Sequence, residues 1–147
     1  MGFYYERFKA RNMNTGKANM RMTEWDKNKT CRLGTRYQFW LKLSERPEPD
    51  WQHCFRETCY LMDKQRPFQA DLMIPLMERD QCYARVLGDP REFESLLYPQ
   101  LREAISRANE MFDEQKEEER RKGLQLAAKR AEDQRIIAEL KTKFRVE

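Results

Sequence analysis

The sequence predicts an α+β protein, a small antiparallel sheet with helices on one face, continued by a long charged C-terminal helix. Three observations carry that class. Arg36 to Leu43 alternates with a period of two, the signature of a half-buried strand. From Asp50 to Asp63, apolar residues recur at helical spacing. And 48 residues follow the last proline, Pro99, with Gly123 as the only glycine among them. That last stretch is filled with Glu, Lys, Arg, Gln, Leu and Ala, all good helix formers. Were it one continuous helix, it would reach roughly 70 Å, about twice the width of a small domain. So long a rod cannot pack wholly on a 147-residue protein.

The elements follow in chain order. Residues 1–34 form a basic, aromatic N-terminal region. Phe3 to Phe8 has strand-like composition, Asn12 to Asn19 is turn-like, and Met20 to Trp25 alternates again. Two readings stand: a hairpin of two short strands around Thr15-Gly16, or a basic arm. The compact domain is then expected over residues 35–112. In its first strand Tyr37, Phe39, Leu41 and Leu43 share one face, Arg36, Gln38 and Lys42 the other, with Trp40 the exception. Pro47 and Pro49 end that strand, and Pro49 suits the first turn of a helix because its φ is fixed and its N–H is missing. Trp51, Cys54, Phe55, Thr58, Cys59 and Met62 form the buried face of this helix.

Asp71 to Asp89 reads as a hairpin. Leu72, Ile74 and Leu76 alternate, Glu78 to Gln81 turn, and Cys82, Ala84 and Val86 alternate on the return. Pro75 cannot donate to a ladder, so its strand belongs at a sheet edge or a bulge. Asp89 then supplies an N-cap, Pro90 the first helical position and Glu92 the spacing of a capping box. Phe93, Leu96, Leu97, Leu101, Ala104, Ile105, Ala108, Met111 and Phe112 make one apolar stripe, which Pro99 either kinks or divides. Strand, helix, strand, strand, helix is the order of half a ferredoxin-like fold.

The extension, residues 113–147, has its own pattern. Asp113 to Lys122 contains no apolar residue, and Glu117–Arg121 and Glu118–Lys122 are spaced i,i+4 with the acid first, the favourable order. Apolar residues return beyond Gly123 as Leu124, Leu126, Ala127, Ala131, Ile136, Ile137, Leu140 and Phe144. Arg130 and Asp133 interrupt the best line through them, so no strict heptad holds. Large apolar side chains on a charged helix need cover. Either Gly123 lets the segment fold back on the domain, or a second polypeptide covers it.

Charge is unevenly distributed. Residues 1–43 carry ten Lys and Arg against three acids (+7), residues 44–100 seven against eleven (−4), and residues 101–147 twelve against eleven (+1). Arg7, Lys9, Arg11, Lys17, Arg21, Lys27, Lys29, Arg32 and Arg36 interleave with Tyr4, Tyr5, Phe8, Trp25 and Tyr37. Such a region can put cations on phosphates and stack aromatic rings on bases. The same residues equally make an ordinary sheet, with aromatics inside and cations outside.

Catalytic and metal-binding patterns are weak. His53 is the single histidine, and Cys31, Cys54, Cys59 and Cys82 contain no Cys-x-x-Cys pair. Zinc sites want four convergent ligands, commonly from tight turns, whereas Cys54 and Cys59 lie on an apolar helix face as small hydrophobes do. No local pattern pairs a nucleophile with a base. Thr15-Gly16-Lys17 is no phosphate loop, since Arg11 and Ala18 stand where glycine and a hydroxyl residue are required. No opening segment has the order of a signal peptide, and no run approaches about 18 apolar residues. The expectation is therefore a cytoplasmic, non-enzymatic interaction or adaptor protein without metal, cofactor or membrane. It would bind a protein partner or its own copy through Leu126, Ile136, Ile137, Leu140 and Phe144. The alternative is a nucleic-acid-binding protein using Arg7, Lys9, Arg11, Lys17, Arg21, Trp25, Lys27, Lys29 and Arg32.

Overall fold

The computed structural model describes residues 17–76 and 81–144. The strand expected at residues 3–8 and most of the turn expected at 78–81 lie outside the described residues. Four strands, β1 (Met22–Leu33), β2 (Arg36–Leu43), β3 (Gln69–Met73) and β4 (Tyr83–Gly88), form an antiparallel sheet in the order β1-β2-β4-β3. Two helices accompany it, α1 (Pro49–Gln65) and α2 (Tyr98–Lys143). The chain divides into two compact units after Asp113.

Within the first unit, β4 runs antiparallel to both β2 and β3. β2 and β3 are therefore parallel, joined through α1, with β4 inserted between them. This split β-α-β is the half of a ferredoxin-like arrangement that the element order implies. β3 is an edge strand and ends at Met73, two residues before Pro75, as a residue without an N–H requires.

The sequence reading ends the N-terminal region at residue 34, and β1 lies within that region. Met22–Leu33 is one arm of a hairpin whose turn is Leu33-Gly34-Thr35, paired to β2 from Met22↔Leu43 to Leu33↔Arg36. Gly34 takes φ of 64°, a left-handed conformation that favours glycine. The hairpin expected around Thr15-Gly16 uses residues 3–8, which lie outside the described residues; among the described residues, Met22–Leu33 pairs with β2. The register slips between Asp26 and Cys31, and the strand carries Lys27 and Lys29 there. A bulge and lysines on an edge strand both oppose pairing with another sheet.

Cross-strand partners point to the same side. Phe39 with Val86, Leu41 with Ala84, and Leu72 with Ala84 face the core. They share one apolar cluster with Trp51, Cys54, Phe55, Cys59 and Met62 of α1 and Leu101, Ala104, Ile105, Ala108 and Phe112 of α2. Both helices thus cover one sheet face, and each large side chain so buried contributes about 1.5–3 kcal/mol.

Two local features set the start of α2. The Asp89 carboxylate accepts from the Arg91 N–H at 2.9 Å and opens a 3₁₀ turn at Pro90–Glu92. A π turn, Phe93–Leu97, follows, closed by the Tyr98 N–H on the Phe93 carbonyl. Pro99 then occupies the first turn of α2. It can neither donate to the preceding turn nor tolerate a carbonyl against its ring, and the wider turn accommodates it. Pro99 therefore marks a helix start and not a kink within one. Gly88 lies against this turn: a Cβ there would meet the Leu97 side chain at 2.6 Å.

Asn109 ties the N-terminal strap to α2. Its side chain accepts from the Met20 N–H (3.3 Å) and the Trp51 indole (2.8 Å), and donates to the Met20 carbonyl (2.9 Å). One turn on, Asp113 accepts from the Ala18 N–H at 2.8 Å.

Candidate functional site

Residues Glu114 to Lys143 are helical, and every residue from Glu114 to Phe144 is exposed. The helix is continuous through Gly123, so the fold-back alternative is corrected: the chain does not reverse there. A single glycine costs a helix only about 1 kcal/mol, and it is flanked here on both sides by good helix formers such as Lys122, Leu124 and Gln125. Asp113 to Lys122 holds itself through ion pairs. Arg120 meets Glu117 at 2.6 Å, Lys116 meets Glu119 at 3.5 Å, and Lys122 meets Glu118 at 3.8 Å. The expected Glu117–Arg121 pair is replaced by Glu117–Arg120, one residue closer along the same face. The Arg120 guanidinium holds the Glu117 carboxyl below the usual carboxylate range.

Beyond Gly123 the apolar side chains project into solvent. Leu126, Ile136, Ile137 and Leu140 are 44–51% exposed and Phe144 is 73% exposed, with Leu124 also bare at 58%. At 100° per residue, Leu126, Ile137, Leu140 and Phe144 fall within one narrow stripe and Ile136 on its flank. Arg130 and Asp133 sit in the same stripe. Neither has a hydrogen-bond or ion-pair partner among the described residues. The sequence names the apolar members of this surface; Leu124, on the far side of the helix from the stripe, does not belong to it.

The basic residues take a different arrangement. Arg7, Lys9 and Arg11 lie outside the described residues, as do Tyr4, Tyr5 and Phe8. Lys17 and Arg21 precede β1, and Trp25, Lys27, Lys29 and Arg32 lie on it. The Trp25 ring packs on Phe93 at 5.3 Å and on Phe39 at 6.5 Å, and its indole donates to the Thr30 hydroxyl at 2.8 Å. Lys27 lies over Trp25, and Lys29 over both Trp40 and Tyr83. Arg32 donates to the Gly34 carbonyl. These rings make contacts within the fold, and Trp25 keeps 38% of its surface exposed.

On the sheet face away from the helices, Arg85 donates to both Asp71 carboxylate oxygens (3.1 and 2.8 Å) and to Gln38 Oε1 (3.1 Å). This cross-strand network is a stabilising polar cluster that only the register reveals. Cys54, Cys59 and Cys82 are buried and Cys31 is exposed, all as free thiols. Burial, with the Asp71 carboxylate adding, pushes the Cys59 thiol up to about 12, so it holds its proton at neutral pH. His53 is exposed on the flank of α1, and no group of three His, Cys, Asp or Glu residues is placed to hold a metal ion among the described residues. No described helix is long and apolar enough to cross a membrane. Comparison with protein-family models, with curated proteins and with solved structures finds no match, so surface geometry carries the functional argument.

Proposed function

We propose that this protein is a non-enzymatic interaction module whose C-terminal helix docks on a polypeptide through Leu126, Ile136, Ile137, Leu140 and Phe144. One observation carries the reading: five large apolar side chains share one side of a helix that buries none of them. Each forgoes roughly 1.5–3 kcal/mol relative to burial. An amphipathic helix with such anchors laid into a groove, or against another helix, is a recurring recognition mode. The globular unit through Asp113 has its own core. The four free thiols support a reducing compartment such as the cytoplasm.

The test is the double substitution Ile137→Asp with Leu140→Asp in the full chain. The melting of the globular unit should not change, while assembly, read as solution mass across a concentration series, should be lost. A double variant that keeps the wild-type mass at every concentration would show that this surface is not what holds the assembly.

A second reading rests on the exposed, bulged β1 hairpin with Lys27, Lys29 and Arg32, which would meet phosphates. Affinity for single-stranded DNA or RNA would then fall steeply with salt, and reversing those three charges to Glu would abolish it. Absence of binding to either at low salt removes this reading.

A further inference from the structure

We propose that the C-terminal helix pairs in antiparallel fashion with the same helix of a second copy, with Arg130 of each copy facing Asp133 of the other at the centre. This rests on the docking role just proposed for that surface and commits it to one occupant.

The inference starts from the two residues that spoil the apolar stripe. Glu119, Gly123, Leu126, Arg130, Asp133, Ile137, Leu140 and Phe144 are separated alternately by four and three residues, the spacing of a coiled-coil seam. A parallel pair would stack each residue on its own copy. Arg130 would then face Arg130 and Asp133 would face Asp133, two like-charge layers in the middle of a short seam. Like charges so placed oppose association. An antiparallel pair centred between Ala131 and Glu132 does the opposite. Arg130 of each copy meets Asp133 of the other, giving two reciprocal ion pairs.

The same centring sorts the rest of the seam without adjustment. Leu126 meets Ile137 of the second copy on both sides of the charged centre, two apolar layers. Leu140 meets Gly123, where nothing stands within 4 Å of a Cβ position. A glycine in the middle of a helix is otherwise destabilising; here it leaves room for a leucine. Ile136, on the flank, lies beside the aliphatic stem of Lys129, which can cover it while its ammonium stays in water. Phe144 reaches the level of Glu119, so the paired span lies wholly beyond Asp113 and asks nothing of the globular unit. Lys122 and Lys143 do approach each other at the two ends, in solvent, where ordinary salt screens them. Three features that look like defects, namely Gly123, Arg130 and Asp133, thus acquire one explanation.

Charge exchange tests the pairing with the full-length chain. Sedimentation equilibrium should show wild type dimerising. Arg130→Asp alone, or Asp133→Arg alone, should raise the dissociation constant by about 100-fold, because two attractive contacts become two repulsive ones. An equimolar mixture of the two variants should recover a dimer, and the double variant Arg130→Asp with Asp133→Arg should dimerise like wild type. Both positions are exposed helix, and circular dichroism on each variant establishes that the helix is retained. A wild-type dimer indifferent to either single reversal overturns the antiparallel register. A wild-type chain that stays monomeric overturns self-pairing while leaving capture of another polypeptide standing. A dimer that survives Ile137→Asp with Leu140→Asp overturns the docking role of this surface altogether.

Discussion

The helix α2 carries two apolar stripes with opposite fates. In the globular unit, Leu101, Ala104, Ile105, Ala108 and Phe112 recur every three or four residues without interruption, and all are buried against the sheet and α1. Beyond Glu114, Leu126, Ile137, Leu140 and Phe144 follow the same periodicity and are all exposed. Periodicity alone therefore specifies a face, and not what covers it. The difference lies in what the chain supplies opposite each stripe. The first meets a sheet face of Phe39, Leu41, Ala84 and Val86. Between the two stripes, Asp113 to Lys122 replaces packing with solvent-exposed ion pairs, which contribute little to stability.

Truncation should separate the stripes most sharply. Leu101→Ala, at a fully buried position, should cost about 2–5 kcal/mol of unfolding free energy. Leu126→Ala should change the melting of the globular unit by less than about 0.5 kcal/mol, as exposed substitutions do. Chemical denaturation followed by tryptophan fluorescence measures both, and equal costs would erase the distinction. Next comes the polar anchor of the first unit. Asn109→Leu removes three partly buried hydrogen bonds and leaves the Trp51 indole and the Met20 backbone without them, a loss of about 2–3 kcal/mol in the same assay. A variant as stable as wild type would mean that the strap at Met20 is held by packing alone.

The thiols give a smaller, graded contrast. An aromatic disulfide reagent at pH 8 should modify Cys31 rapidly, and Cys54, Cys59 and Cys82 only as the protein opens. The folded Cys59 thiol titrates near 12, above its ordinary 9.0, so the protonated form is favoured by folding. That contribution is intact below pH 9.0 and is lost as pH rises toward 12, where the unfolded thiol ionises and the folded one does not. Cys59→Ala should show a shallower alkaline loss of stability than wild type. The smallest expected effect belongs to the ion-paired segment. Arg120 lowers the Glu117 carboxyl, so its contribution is present above the ordinary carboxylate range and fades as pH falls through the folded value. Glu117→Gln should remove that part of the acid-induced loss of helix signal, and an unchanged acid profile would show that the pair contributes nothing.

Much of this was legible in the residues. The alternation of Tyr37, Phe39, Leu41 and Leu43 and the spacing of Trp51, Cys54, Phe55, Thr58, Cys59 and Met62 name the buried face of β2 and of α1 because each has one apolar side. β1 was not legible beyond Trp25. Asp26-Lys27-Asn28-Lys29 at its centre reads as loop, since an exposed, bulged edge strand has no buried face to impose a period. Gly34 followed by the alternation of β2 was the available signal for the hairpin. The Arg85–Asp71–Gln38 network depends on register across three strands, which no local pattern encodes. Asn109 was visible as a polar residue on the flank of the apolar stripe, one position after Ala108 and three before Phe112. In the extension, the apolar residues were legible but the part played by Arg130 and Asp133 was not, because a charged residue in a seam gains meaning only once a partner's direction is specified.

Amide hydrogen exchange of the full chain at increasing protein concentration tests the role of the C-terminal helix most directly. Protection should rise with concentration across residues 119–144 and stay constant through the first unit, because docking stabilises the helix that lacks tertiary cover. Protection that rises instead at β1, or that stays flat in 119–144 while the solution mass doubles, would contradict it.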